Sequence, residues 1–179
     1  MSEVFTATHR ILIAGVGNIF LGDDAFGVEV AQALLRRPRP ANVSVVDFGI
    51  RGYDLAYALL GTEDAHYDSV ILIDALTRGD APGTLYTIEP DLLALADQVG
   101  DLSLNGHGMD PVAVIRLAMS MGEVKSRVYV VGCEPCDFGD DLEGRMGLSA
   151  AVQPSVLEAV QMIEELVSNI VASKAVCAV

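Results

Sequence analysis

Apolar positions follow two alternating rhythms along this chain. Ile11–Ala14 and Ser69–Ala75 are apolar at almost every position, the pattern of strands buried on both faces. Asn42–Phe48, Thr84–Ile88 and Arg127–Gly132 add three further strand-like runs. Between them, apolar residues fall at helical spacing: Val28, Ala31, Leu34 and Leu35 within Ala25–Arg36, and Leu55, Ala56, Leu59 and Leu60 within Gly52–Leu60. Asp91–Val99 reads as a short helix, and Pro111 suits the first turn of another running to about Met121. A last helix opens at Ser149 or at Gln153-Pro154, with Val156, Val160, Ile163, Val167 and Ile170 on one face. Strand and helix thus alternate. The pattern predicts an α/β fold with a single domain over 1–179, its core about 10–172 and an uninformative tail at 173–179. Its sheet is largely parallel and twisted, with helices on both faces.

The first strand runs into Gly15-Val-Gly-Asn-Ile-Phe-Leu-Gly-Asp-Asp-Ala-Phe-Gly27. Glycine-rich turns between strand and helix often cradle phosphate, but this one does not fit. Phe20 stands where a dinucleotide fingerprint wants its third glycine, and no lysine occurs before Lys125 to complete a P-loop. Asp23 and Asp24 also place negative charge where a pyrophosphate would sit. No nucleotide is expected. One of the two aspartates can cap the helix that follows; the pair together is a candidate for chemistry, and a turn lined by carboxylates suits a cation.

Charge narrows the partners. The formal net charge is −14, which argues against nucleic acid or an anionic membrane surface. No apolar run reaches the ~18 residues of a membrane span, and no signal peptide is evident, so a cytoplasmic location is expected. Three cysteines do not suggest a disulfide framework. Cys133-Glu-Pro-Cys136 has redox spacing but runs into an acidic loop rather than a helix, and it has no second pair with which to bind zinc.

In open α/β sheets, ligands gather outside the carboxyl ends of the strands. Asp23 and Asp24 follow the first strand, Asp74 closes the third, and His107 lies between two glycines in the polar segment after the fourth. Two carboxylates and an imidazole can hold a divalent first-row metal with positions left open for a substrate group.

On these residues the chain resembles the hydrogenase maturation proteases. Gly15 to Gly27 matches the family signature G-x-G-N-x-x-x-x-D-[DE]-x-x-G at every fixed position. Asp47–Gly52, Ile73–Ala75, Gly132–Pro135 and Gly147–Ser149 support it, although Asp47-Phe-Gly-Ile50 stands where the family often has Asp-Gly-Gly-Thr. The resemblance spans about residues 10 to 167. It implies a five-stranded sheet, and an endopeptidase that removes the C-terminal extension of a nickel–iron hydrogenase large-subunit precursor after nickel insertion. It also implies metal contacts at Asp24, Asp74 and His107, with the nickel supplied by the precursor. Cleavage would use that metal as a Lewis acid, or Asp23 or Asp24 as general base. The alternative is a maturation factor that binds nickel or the large subunit without cutting.

Overall fold

The computed structural model describes residues 9–62, 65–97, 110–139 and 144–177. Five strands form one sheet: β1 (Ile11–Val16), β2 (Val43–Gly49), β3 (Ser69–Ala75), β4 (Leu85–Ile88) and β5 (Arg127–Cys133). Their order is β2-β1-β3-β5-β4. All pairings are parallel except that of β4, which runs antiparallel to β5 at one edge. The helices are α1 (Phe26–Leu35), α2 (Gly52–Leu60), α3 (Leu92–Asp97), α4 (Pro111–Met121) and α5 (Ser155–Cys177).

The apolar runs of β1, β3 and β5 are explained by burial on both faces. Alternate residues Ile11, Ile13, Ile71, Ile73, Tyr129 and Val131 join α1 and α5 in one core layer. Leu12, Ala14, Val70, Leu72, Val128 and Val130 point to the other side and pack with α2 and α4. Period-two alternation therefore carries both cores, with no polar face to show it.

The last helix begins at Ser155, after Pro154, so of the two expected starts the later one holds. Its apolar stripe packs as the spacing predicts: Val160, Ile163, Val167 and Ile170 are all buried. Asp110 caps α4 by accepting a hydrogen bond from the Val112 N–H at 2.9 Å, with Pro111 in the first turn.

Chain direction fixes where a site can form. The chain passes from β1 through α1 to β2 on one side, then through α2 back past β1 to β3 on its other side, so the two connections run in opposite directions and open a crevice between the carboxyl ends of β1 and β3. A one-turn 3-10 helix, Gly22–Ala25, lies over this crevice and leads into α1. Two glycines allow the approach. A side chain on Gly27 would collide with the carbonyl oxygens of Val16 and Ile73, so α1 rests directly on the ends of β1 and β3. Gly17 takes φ +135° with no room for a Cβ against the Asp24 carbonyl.

Candidate active site

Asp24 and Asp74 come together at the β1/β3 crevice. Asp74 is the penultimate residue of β3 and is buried, at 5% exposure. Its Oδ1 accepts only the adjacent Ala75 N–H among the described residues, at 2.8 Å. Burial drives its pKa well above the ordinary carboxylate value; the charge of Asp24 adds to this, the Ala75 bond opposes it, and Asp110 contributes a smaller push upward. Asp24 accepts one bond among the described residues, from the Asn18 N–H to Oδ2 at 2.7 Å. Burial outweighs that bond, so its pKa is raised too. Asp24 and Asp74 are thus two carboxyl groups within electrostatic reach of one another, each with one backbone donor among the described residues. Such a pair is relieved by a cation or by sharing a proton.

Asp23 is built differently although it is the next residue. Its side chain is fully buried and turned to the segment beyond β5. Oδ2 accepts the N–H groups of Cys136 at 2.8 Å and Asp137 at 3.0 Å, and Oδ1 accepts that of Ser149 at 2.6 Å. Burial alone would raise its pKa, but the three N–H bonds together win and lower it. A carboxylate saturated in this way has little lone-pair capacity left to take a proton, whereas Asp24 accepts one bond among the described residues. Neither aspartate caps α1: its capping residue, Ala25, has no side-chain bond, because both carboxylates are engaged elsewhere.

His107 lies outside the described residues. Asp110, three positions further on, is close enough to Asp74 to influence its charge. His9 and His66 sit at the opposite edge of the sheet, against Ser69 and Asp68 where β3 begins. Among the described residues no group of three His, Cys, Asp or Glu side chains is arranged to hold a metal.

This geometry can be set beside known proteins. The hydrogenase maturation protease family model matches residues 28–166, beginning just after the glycine-rich turn. The chain belongs to this family. A hydrogenase expression/formation protein of Rhodobacter capsulatus is 32% identical over 157 residues, covering 86% of this chain and 70% of that protein. The hydrogenase 2 maturation protease of Escherichia coli K12 is 31% identical over 157 residues, covering 86% and 88%. In the solved structures, the hydrogenase maturating endopeptidase of E. coli superposes with a TM-score of 0.69 at 26% identity, covering 89% of this chain and 93% of that one. The protein is thus a peptidase of the hydrogenase maturation protease family, on that family's fold. No helix among its described residues is long and apolar enough to cross a membrane.

One organising residue of this protease escaped the reading of its sequence. Glu134, buried just after β5, accepts the Tyr86 hydroxyl at 2.7 Å and the N–H groups of Arg78 at 2.7 Å and Gly79 at 3.1 Å. The Tyr86 hydroxyl, more than any other contact, holds its pKa down, and the backbone bonds assist against burial. Glu134 thereby ties the loop after β3 to the end of β5. The signal was present, since Glu134 follows a buried strand much as Asp74 closes one.

The cysteines next to it do not form a reactive pair. Cys133 is buried in the core and its thiol is pushed by burial up to about 11, while Cys136 is exposed. The edge of the sheet therefore carries two kinds of carboxylate. Asp23 and Glu134 are rich in donors and hold loops; Asp24 and Asp74, at the crevice, have one donor each among the described residues.

Proposed function

We propose that this protease removes the C-terminal extension of a nickel–iron hydrogenase large-subunit precursor once nickel is in place, and that it reads the nickel the precursor carries. The observation behind this reading is the meeting of Asp24 and Asp74 at the β1/β3 crevice with so few hydrogen-bond donors. The fold brings two carboxyl groups together with one backbone N–H each among the described residues, an arrangement that favours a cation arriving with the substrate. Carboxylates and imidazole suit nickel, and His107 is the third contact in this reading. The protease holds no nickel of its own; the ion is part of the substrate.

Contacts of this kind discriminate. A precursor with nickel gains the attraction of two carboxylates, whereas an empty one leaves them facing each other. For cleavage, nickel bound by the precursor polarises the scissile carbonyl, or Asp24 takes a proton from the attacking water. Its raised pKa brings that carboxylate closer to the range where a base works well near neutral pH.

The test is incubation with nickel-loaded and nickel-free precursor, followed by mass spectrometry of the large subunit. Loss of a C-terminal fragment from the loaded form alone is the expected result. Binding without any mass loss would establish instead a maturation factor that recognises its partner and does not cut.

A further inference from the structure

Asp24 sits on a single turn, Gly22–Ala25, and one turn of 3-10 helix has little rigidity of its own. What fixes this turn is the segment beyond β5. The Asp23 N–H donates to the Asp137 carbonyl at 3.0 Å and the Gly22 N–H to the Arg145 carbonyl at 2.7 Å; the Arg145 N–H returns to the Phe20 carbonyl at 2.7 Å. Leu21 and Arg145 form a parallel bridge. At the centre of this seam is the Asp23 carboxylate, which gathers three N–H groups from Cys136, Asp137 and Ser149. Those donors lie 113, 114 and 126 positions further along the chain.

From this geometry we infer that Asp23 is a positioning residue: it clamps the turn to the segment beyond β5 and so holds Asp24 in place opposite Asp74. This rests on the proposed reading of Asp24 as a contact to the substrate's nickel. A carboxylate is required because all three partners are donors. Asparagine at this position would turn an amide N–H towards at least one of them, and the clamp would open on that side. Asp23 need not touch substrate for its loss to be felt, since a contact on a loosened turn is held less precisely.

Two variants test the clamp from opposite sides. Asp23→Asn changes the acceptor. Cys136→Pro removes one donor at an exposed position and leaves Asp23 intact, so it decides the matter alone if Asp23→Asn does not fold. Each is titrated against nickel-loaded and nickel-free precursor, in the wild-type background and together with Asp24→Asn. Positioning predicts that Asp23→Asn weakens binding of the loaded precursor by about tenfold, with a smaller loss for Cys136→Pro. The empty precursor should bind each variant as it binds wild type. With Asp24 already changed, neither substitution should weaken the loaded complex by more than about twofold, because nothing remains to be positioned. The inference is overturned by equal losses on loaded and empty precursor, by equal losses with and without Asp24, or by wild-type binding of both variants. If wild type itself binds the two precursors equally, nickel recognition fails first and the clamp's purpose falls with it.

Discussion

Neighbours in sequence, Asp23 and Asp24 differ in what the fold gives them to bind, and this difference has opposite consequences for stability. The Asp74 pKa is raised in the folded protein, so over a range beginning near the ordinary value of about 4 the native state holds more protons than the unfolded chain. Its contribution to stability therefore declines as pH rises through the folded value. Asp74→Asn removes a buried, repelled charge and still offers an acceptor to the Ala75 N–H. It should raise the melting temperature at neutral pH, by about 2–4 °C for each kcal/mol relieved, with the gain fading below about pH 4. Processing of loaded precursor should meanwhile fall by about a hundredfold or more, as when charge stabilisation is removed at a reacting centre. Asp23 has the reverse sign. Its pKa is lowered, so its stabilisation is present above the unfolded value and is lost as pH falls through the folded one. Asp23→Asn should cost about 1–3 kcal/mol at neutral pH, the scale of a buried donor left unpaired, with the deficit shrinking in acid. Denaturant titrations of both variants at several pH values check the pair; a fall in stability for Asp74→Asn at neutral pH would contradict the crowding argued here. Cys133 belongs at this scale too: with its thiol near 11, a neutral alkylating agent at pH 7.5 should leave it unmodified in the folded protein.

Among the elements, the contact of α1 with the sheet carries the strongest constraint. Gly27 in the first turn of α1 leaves space only for hydrogen between the Val16 and Ile73 carbonyls. Gly27→Ala must push the helix off both strands, and the site turn rides on that helix. A loss of about 1–3 kcal/mol or more is expected, together with weakened processing, read from thermal melts and cleavage rates on the same samples. Alanine tolerated at wild-type stability and rate would mean that α1 can move without consequence for the crevice. This contact also shows where the reading of the sequence stops. Strands and helices were legible because their apolar periods differ, and Asp74 stood out as a carboxylate ending an apolar strand. Strand order was not legible: nothing in the period of Ser69–Ala75 says that it pairs with β1 on the side away from β2. The division of labour between Asp23 and Asp24 was hidden for the same reason. The donors that occupy Asp23 lie more than 110 positions away and become neighbours only through the fold.

For the whole molecule, the topology concentrates charge at one point of an already acidic protein. Bringing Asp24 and Asp110 within electrostatic reach of the buried Asp74 costs stability, and the crevice at the β1/β3 switch is where this cost is taken. An arriving cation repays it, so binding of loaded precursor should stabilise the fold more than binding of empty precursor at equal concentration. Free nickel is a weaker ligand in this scheme. In the proposed reading, two carboxylates with His107 would leave several coordination positions to water, and the precursor's own ligands and peptide surface would be missing. His107→Ala separates the contributions. If His107 contacts nickel, the variant should bind loaded precursor less tightly by about tenfold, the scale of roughly 1.4 kcal/mol, while its affinity for empty precursor stays unchanged. Paired titrations of wild type and variant measure both quantities. Equal losses on the two precursors would place His107 against the peptide, leaving Asp24 and Asp74 to recognise the metal together with whatever ligands the precursor supplies.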